Sequence, residues 1–236
     1  TRRGDPDGAP PPAPKPPVVA VLPLLVDDDD PELARMAVVL AEDLTTRLAR
    51  LPGLEVVART SAVAVAQEKL DAAAMATRLG AGLLVEGSMR REANAAIAIN
   101  LRVIEGRSGT QRGSAQVQAS ADRLWQAENQ IVEQLAARLL PHGTPVQATV
   151  YSSRSREANA ALFRGRALLS SASAPADLEG ARKAFAEALA IDPGFAPAQA
   201  AVCRAGLKAF LQVRNPAEFR AAQLACDQAA ALDPDG

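Results

Sequence analysis

The spacing of hydrophobic positions changes character along the chain, and each change predicts a different element. From Val18 the run VVAVLPLL is apolar at successive positions, the pattern of a strand buried on both faces. The period then becomes helical: Leu33, Ala37, Leu40, Leu44 and Leu48 recur at three- and four-residue intervals up to a stop at Pro52 and Gly53. Four aspartates, Asp27, Asp28, Asp29 and Asp30, precede Pro31 and Glu32. That order predicts Asp30 as the N-cap and Pro31 as the first helical residue, with negative charge against the positive end of the helix. Residues 54–58 suit a short strand, and residues 60–79 read as two short helices capped by Ser61 and Asp71 and ending at Gly80. Three β segments follow at 82–91, 95–104 and 111–119, the second alternating Ile97, Ile99, Leu101 and Val103, with a turn at 106–109. An amphipathic helix over 121–140, apolar at Leu124, Trp125, Ile131, Leu135 and Leu139, ends before Pro141.

Beyond residue 150 the pattern is one of small residues at helical spacing. In ARKAFAEALAIDP, residues 181–193, Ala181 and Ala188 share a face with Phe185 between them, so a second helix can approach closely and the ring can fill the gap. Asp192 and Pro193 stop that helix. The pattern returns 41 residues later as AAQLACDQAAALDP, with Ala222, Cys226, Ala229 and Pro234 in register with Ala181, Phe185, Ala188 and Pro193. Such a recurrence predicts successive antiparallel helix pairs.

These residues resemble a tetratricopeptide repeat, whose second helix carries small, aromatic, small and proline positions at that spacing. Gly165, at the end of LFRG, matches the glycine of the family's first helix, with Cys203 at the equivalent place in the next copy. The interval of 41 residues exceeds the family's usual length of about 34; segments 170–175 and 212–216 absorb the excess. Upstream, the order strand, helix, strand, helices, three strands, helix resembles the TolB amino-terminal-like domain of bacterial envelope and signalling proteins. The residues that carry this are VLPL at 21–24, DPEL at 30–33, LTTRLARLPGLEVVARTS at 44–61 and LVEGSMRR at 84–91, with LWQAENQIV at 124–132 in support. Gly113 departs from it, standing where relatives often carry a tryptophan.

The two resemblances together imply an α/β (α+β) TolB-like domain with a mixed sheet over residues 18–143, followed by an all-α tetratricopeptide-repeat helical domain over 151–236. The arrangement is similar to the sensory half of CadC-type transcription activators, class III adenylyl cyclases and serine/threonine kinases, whose effector domain precedes a membrane span. It implies a non-enzymatic sensor or interaction module in the periplasmic part of an inner-membrane protein, touching the membrane only through an upstream anchor. Its partner would be a protein, a peptide or a second copy; the alternative is a small-molecule receptor with its pocket between the two domains.

Composition changes this picture little. A formal net charge of -1 and the lack of a basic stripe give no reason to expect nucleic acid. The longest apolar runs fall short of the roughly 20 residues of a membrane span. TRRGDPDGAPPPAPKPP, residues 1–17, reads as an extended proline-rich linker, and the absence of a start methionine suggests a piece of a longer chain. His142, the single histidine, sits in a PHG turn, so neither a Ser-His-Asp triad nor an HExxH zinc site can be built. Gly106, Gly109 and Gly113 do not follow phosphate-binding spacings. No enzymatic activity, metal or cofactor is therefore expected.

Three sets of residues remain as site candidates. By register, Asn159, Arg166, Ser170, Arg204 and Lys208 face the concave groove of the repeats, where the basic side chains offer a site for an acidic peptide or a terminal carboxylate. Cys203 and Cys226 fall on the two helices of the second repeat; they are either two small buried hydrophobes or a disulfide, which needs an oxidising compartment. Asp27, Asp28, Asp29 and Asp30 lack the ligand alternation of a calcium loop; capping accounts for them, and crowding of carboxylates makes them an acid-sensing candidate.

Overall fold

The computed structural model describes residues 16–27, 29–140, 153–170 and 175–234. The proline-rich residues 1–15, Asp28, His142 and the boundary set between 143 and 151 lie outside the described residues. The first half is an α/β unit built on a mixed five-stranded sheet, and the second half is helical.

Strand β1 (Val18–Val21) lies inside the sheet, as its unbroken apolar run requires, with parallel neighbours β2 (Glu55–Val56) and β3 (Leu83–Arg91). Strands β4 (Ile97–Glu105) and β5 (Gln111–Ala119) extend the sheet antiparallel, giving the order β2-β1-β3-β4-β5. The period-2 alternation sorts side chains to two faces. Val19, Val21, Val85, Ile99, Leu101 and Val103 meet helices α1 (Pro31–Ala49) and α4 (Leu124–Leu139). Ala20, Leu22, Leu84 and Ile104 meet α2 (Arg59–Ala66) and α3 (Ala72–Leu79) through Ala62 and Ala76.

Local signals place the starts of α1 and α3. Asp30 Oδ1 accepts from Leu33 N at 2.9 Å with Pro31 at the first position, and Asp71 Oδ1 accepts from Ala74 N at 2.8 Å. Ser61 is not a cap: α2 begins two residues earlier, behind Ala58, with no side-chain bond to its first turn. Gly113 lies under the arginine stem of α4, since a Cβ there would lie 2.7 Å from Arg138 Cδ.

Helices α5 (Arg156–Ser170), α6 (Pro175–Ile191), α7 (Ala196–Val213) and α8 (Pro216–Leu232) follow, and α8 begins and ends 41 positions after α6. Phe185 fills the gap between Ala181 and Ala188 in a core shared with Ala158, Ala161 and Leu162. Gly165 makes that possible: a Cβ on it would lie 2.4 Å from Phe185 Cε1. Its counterpart is Gly206, whose Cβ would meet Ala222 Cβ at 2.8 Å. Cys203 therefore does not take the place of Gly165; it stands in register with Leu162. Helix α5 belongs to two cores, since Phe163 and Ala167 on its other side pack with α1 and α4.

Candidate functional site

Sharing α5 between two cores turns the inner face of the helical repeats toward α1 and α4. A cavity of ≈ 560 Å³ lies between them. Helix α1 keeps Leu33, Leu40, Leu44 and Leu48 on the sheet and presents Glu42, Asp43, Arg47 and Arg50 to the cleft. Helix α4 adds Trp125, Glu128 and Asn129, and α5 adds Leu162, Phe163 and Arg166. Ala196, Pro197, Ala200 and Arg204 of α7, with Ala229 and Ala230 of α8, complete the wall.

Two ion pairs form the floor. Arg47 Nη1 donates to Glu128 Oε1 at 2.9 Å, and both terminal nitrogens of Arg166 donate to Asp43, Nη1 to Oδ2 at 2.7 Å. The Asp43 and Glu128 side chains keep only 12% and 9% of their exposure. Burial disfavours the ionised form, and the neighbouring Asp43 charge adds to it, so the Glu128 carboxyl is pushed up to about 7 against the pull of Arg47. Burial likewise pushes Asp43 up, opposed by the Arg166 guanidinium. Around this floor two donors have no acceptor: Arg47 Nη2 and Trp125 Nε1 are buried without a hydrogen-bond partner.

No family model matches the chain. It is similar to "Putative adenylate cyclase 3" of Rhizobium meliloti (strain 1021), 30% identical over 211 residues, which is 88% of this chain and 36% of that protein. The chain thus spans about a third of that relative's length. Among solved structures, the LpoB C-terminal domain from Salmonella enterica aligns with a TM-score of 0.34 and 16% identity, over 48% of this chain and 87% of that one. Lipoprotein GNA1162 from Neisseria meningitidis aligns with a TM-score of 0.35 and 16% identity, over 53% of this chain and all of that one.

The five residues assigned to a peptide groove do not form an open one. Arg166 is taken up by Asp43, and Arg204 Nη2 donates to Glu42 Oε1 at 3.3 Å, so α1 engages both basic side chains. Asn159 lines the cleft, but its amide is buried and turned to its own chain: it accepts from Ser153 N and donates to Ser153 O and Ser155 O. Ser170 Oγ donates to Ala167 O at 2.8 Å, and Lys208 Nζ donates to Leu169 O at 2.8 Å, closing the last turn of α5.

The aspartate run also changes meaning. Hydrogen bonds from Arg91 Nε, 2.8 Å from Oδ2, and from Leu33 N hold the Asp30 carboxyl below the usual range, which is the opposite of what an acid sensor near neutrality needs. Asp27 and Asp29 are exposed in the turn before it, and Asp28 lies outside the described residues. Cys203 and Cys226 are joined in a disulfide, S–S 2.03 Å, between α7 and α8. Sequence reasoning missed Asp43, Arg47 and Glu128. One signal was present: Glu128 interrupts the apolar stripe of Leu124, Ile131 and Leu135 on α4.

Proposed function

We propose that the chain is a non-catalytic extracytoplasmic sensor module of a larger membrane-anchored bacterial regulator, made of a TolB-like domain and tetratricopeptide repeats. Its recognition site is the cleft between them. The observation that carries this is the closure of the repeats' inner face by α1, which engages Arg166 and Arg204 and leaves a cavity of ≈ 560 Å³ over a buried charged floor. A volume of that order is usual for a small-molecule site. The relative named as a putative adenylate cyclase supports a larger whole, because the matching region is 36% of it. The disulfide supports an oxidising compartment.

Native mass spectrometry of the chain isolated from its own cells tests this reading. A retained small molecule is expected in the wild type and absent from Ala200→Trp, which fills the cleft. A wild-type chain that carries nothing and shows no melting shift against a metabolite library refutes it.

A protein partner or a second copy is the other reading, favoured by apolar side chains around the α7–α8 turn, where Leu211 and Val213 are 61% and 65% exposed and Phe219 is 44% exposed. Self-association measured by sedimentation would fall in Leu211→Glu; a monomeric wild type removes the second copy.

A further inference from the structure

The unmet hydrogen bonding in the cleft is all of one kind. Among the described residues, the buried side-chain atoms without a partner are Arg47 Nη2, Trp125 Nε1 and Arg59 Nε, every one a donor. Arg59 lies on α2 and does not line the cleft; Arg47 and Trp125 do, one from α1 and one from α4. A buried donor left unsatisfied destabilises the fold, the more so when it is charged. Two such donors on adjoining helices therefore favour a ligand that supplies acceptors.

Charge points the same way. Asp43 is engaged by Arg166 and Glu42 by Arg204, so Arg47 depends on Glu128 alone. Burial pushes the Glu128 carboxyl up to about 7, so near neutrality the negative charge opposite Arg47 is only partly present. A carboxylate suits a free guanidinium N–H and a free indole N–H together, since it has two oxygens that accept and its charge strengthens the bond to the guanidinium. On the facing side Phe163, Leu162, Pro197 and Ala200 offer carbon surface, and the arginines beside them, Arg166 and Arg204, are already paired with Asp43 and Glu42.

We propose that the cleft binds a small amphipathic carboxylate, its oxygens taken by Arg47 Nη2 and the Trp125 indole N–H and its apolar body laid against Phe163, Pro197 and Ala200. This rests on the reading of the cleft as the recognition site, and it adds the chemical class of the ligand.

The test is calorimetric titration of the whole chain with three probes of matched skeleton: phenylacetate, phenylacetamide and phenethylamine. Phenylacetate is expected to bind at a single site, with the amide and the amine at least about tenfold weaker, in keeping with about 1.5–3 kcal/mol for a hydrogen bond to a charged group. Trp125→Phe keeps the ring and removes the N–H, and should weaken phenylacetate about tenfold; Ala200→Trp should abolish its binding. Amide or amine binding as tight as phenylacetate, but lost in Ala200→Trp, overturns the carboxylate and leaves the cleft reading standing. Phenylacetate binding unchanged by Ala200→Trp, or no phenylacetate binding up to millimolar concentration, also overturns the proposal; the cleft reading is then decided by the retained-ligand measurement.

Discussion

Replacing Glu128 by glutamine should stabilise the chain at mildly alkaline pH and remove the part of its pH dependence that this carboxyl contributes. The Glu128 carboxyl rises from an ordinary 4.5 to about 7 in the folded chain because burial and the Asp43 charge both favour the proton. Its folded pKa is raised, so the stability it contributes is fully present below about pH 4.5 and is lost as pH rises through about 7. At about 1.4 kcal/mol per pH unit, the difference corresponds to about 3 kcal/mol between the two ends of that window. Asp43 and Glu128 titrate as a pair, and Asp43 is raised too, so it slopes in the same direction and remains in the variant. Glutamine mimics the protonated form, and its amide oxygen can still accept from Arg47 Nη1, 2.9 Å from Oε1 in the wild type.

Urea unfolding of both proteins at a series of pH values between about 5 and about 8 reads this directly. The wild type should lose stability across the series, and the variant should lose less and exceed the wild type at the alkaline end. Parallel profiles, or a wild type that gains stability with rising pH, would show that Glu128 is ionised in the fold and refute the reasoning.

Reduction of the Cys203–Cys226 disulfide, which spans 23 residues, should cost about 3 kcal/mol by the loop-entropy argument; an unchanged urea midpoint in reductant would count against a native link between α7 and α8. Gly165→Ala should destabilise by about 1–3 kcal/mol, because the new methyl meets Phe185 inside a filled core; circular dichroism melting checks it, and a variant as stable as wild type would mean the ring moves freely. Asp30→Ala should cost about 1 kcal/mol at neutral pH through loss of the α1 cap. Its folded pKa is depressed, so the stability it contributes is present above its ordinary value of 3.8 and lost as pH falls through the folded one. The variant and wild type should therefore converge in strong acid.

What could be read from the sequence was what depends on near neighbours. Asp30 followed by Pro31, Asp71 three residues before the amide it caps, and the alternation through Ile97, Ile99, Leu101 and Val103 each act over a few residues, so spacing alone placed α1, α3 and β4. The return of a small-aromatic-small face after 41 residues likewise placed α6 and α8. Ser61 misled because a hydroxyl near a helix start is a frequent cap, while α2 instead begins directly from the strand before it. The cleft was of another kind. Arg47 meets Glu128 across 81 positions only once α1 and α4 lie side by side on the sheet, and Arg166 meets Asp43 across 123 only once α5 has packed against α1. Register showed that Arg166 and Arg204 face inward, but an arginine facing a groove looks the same in sequence whether the groove holds a peptide, water or α1. The protonation of Glu128 was beyond sequence for the same reason: a carboxyl's pKa follows the solvent it loses, and only the docking of α1 and α5 over α4 removes that solvent.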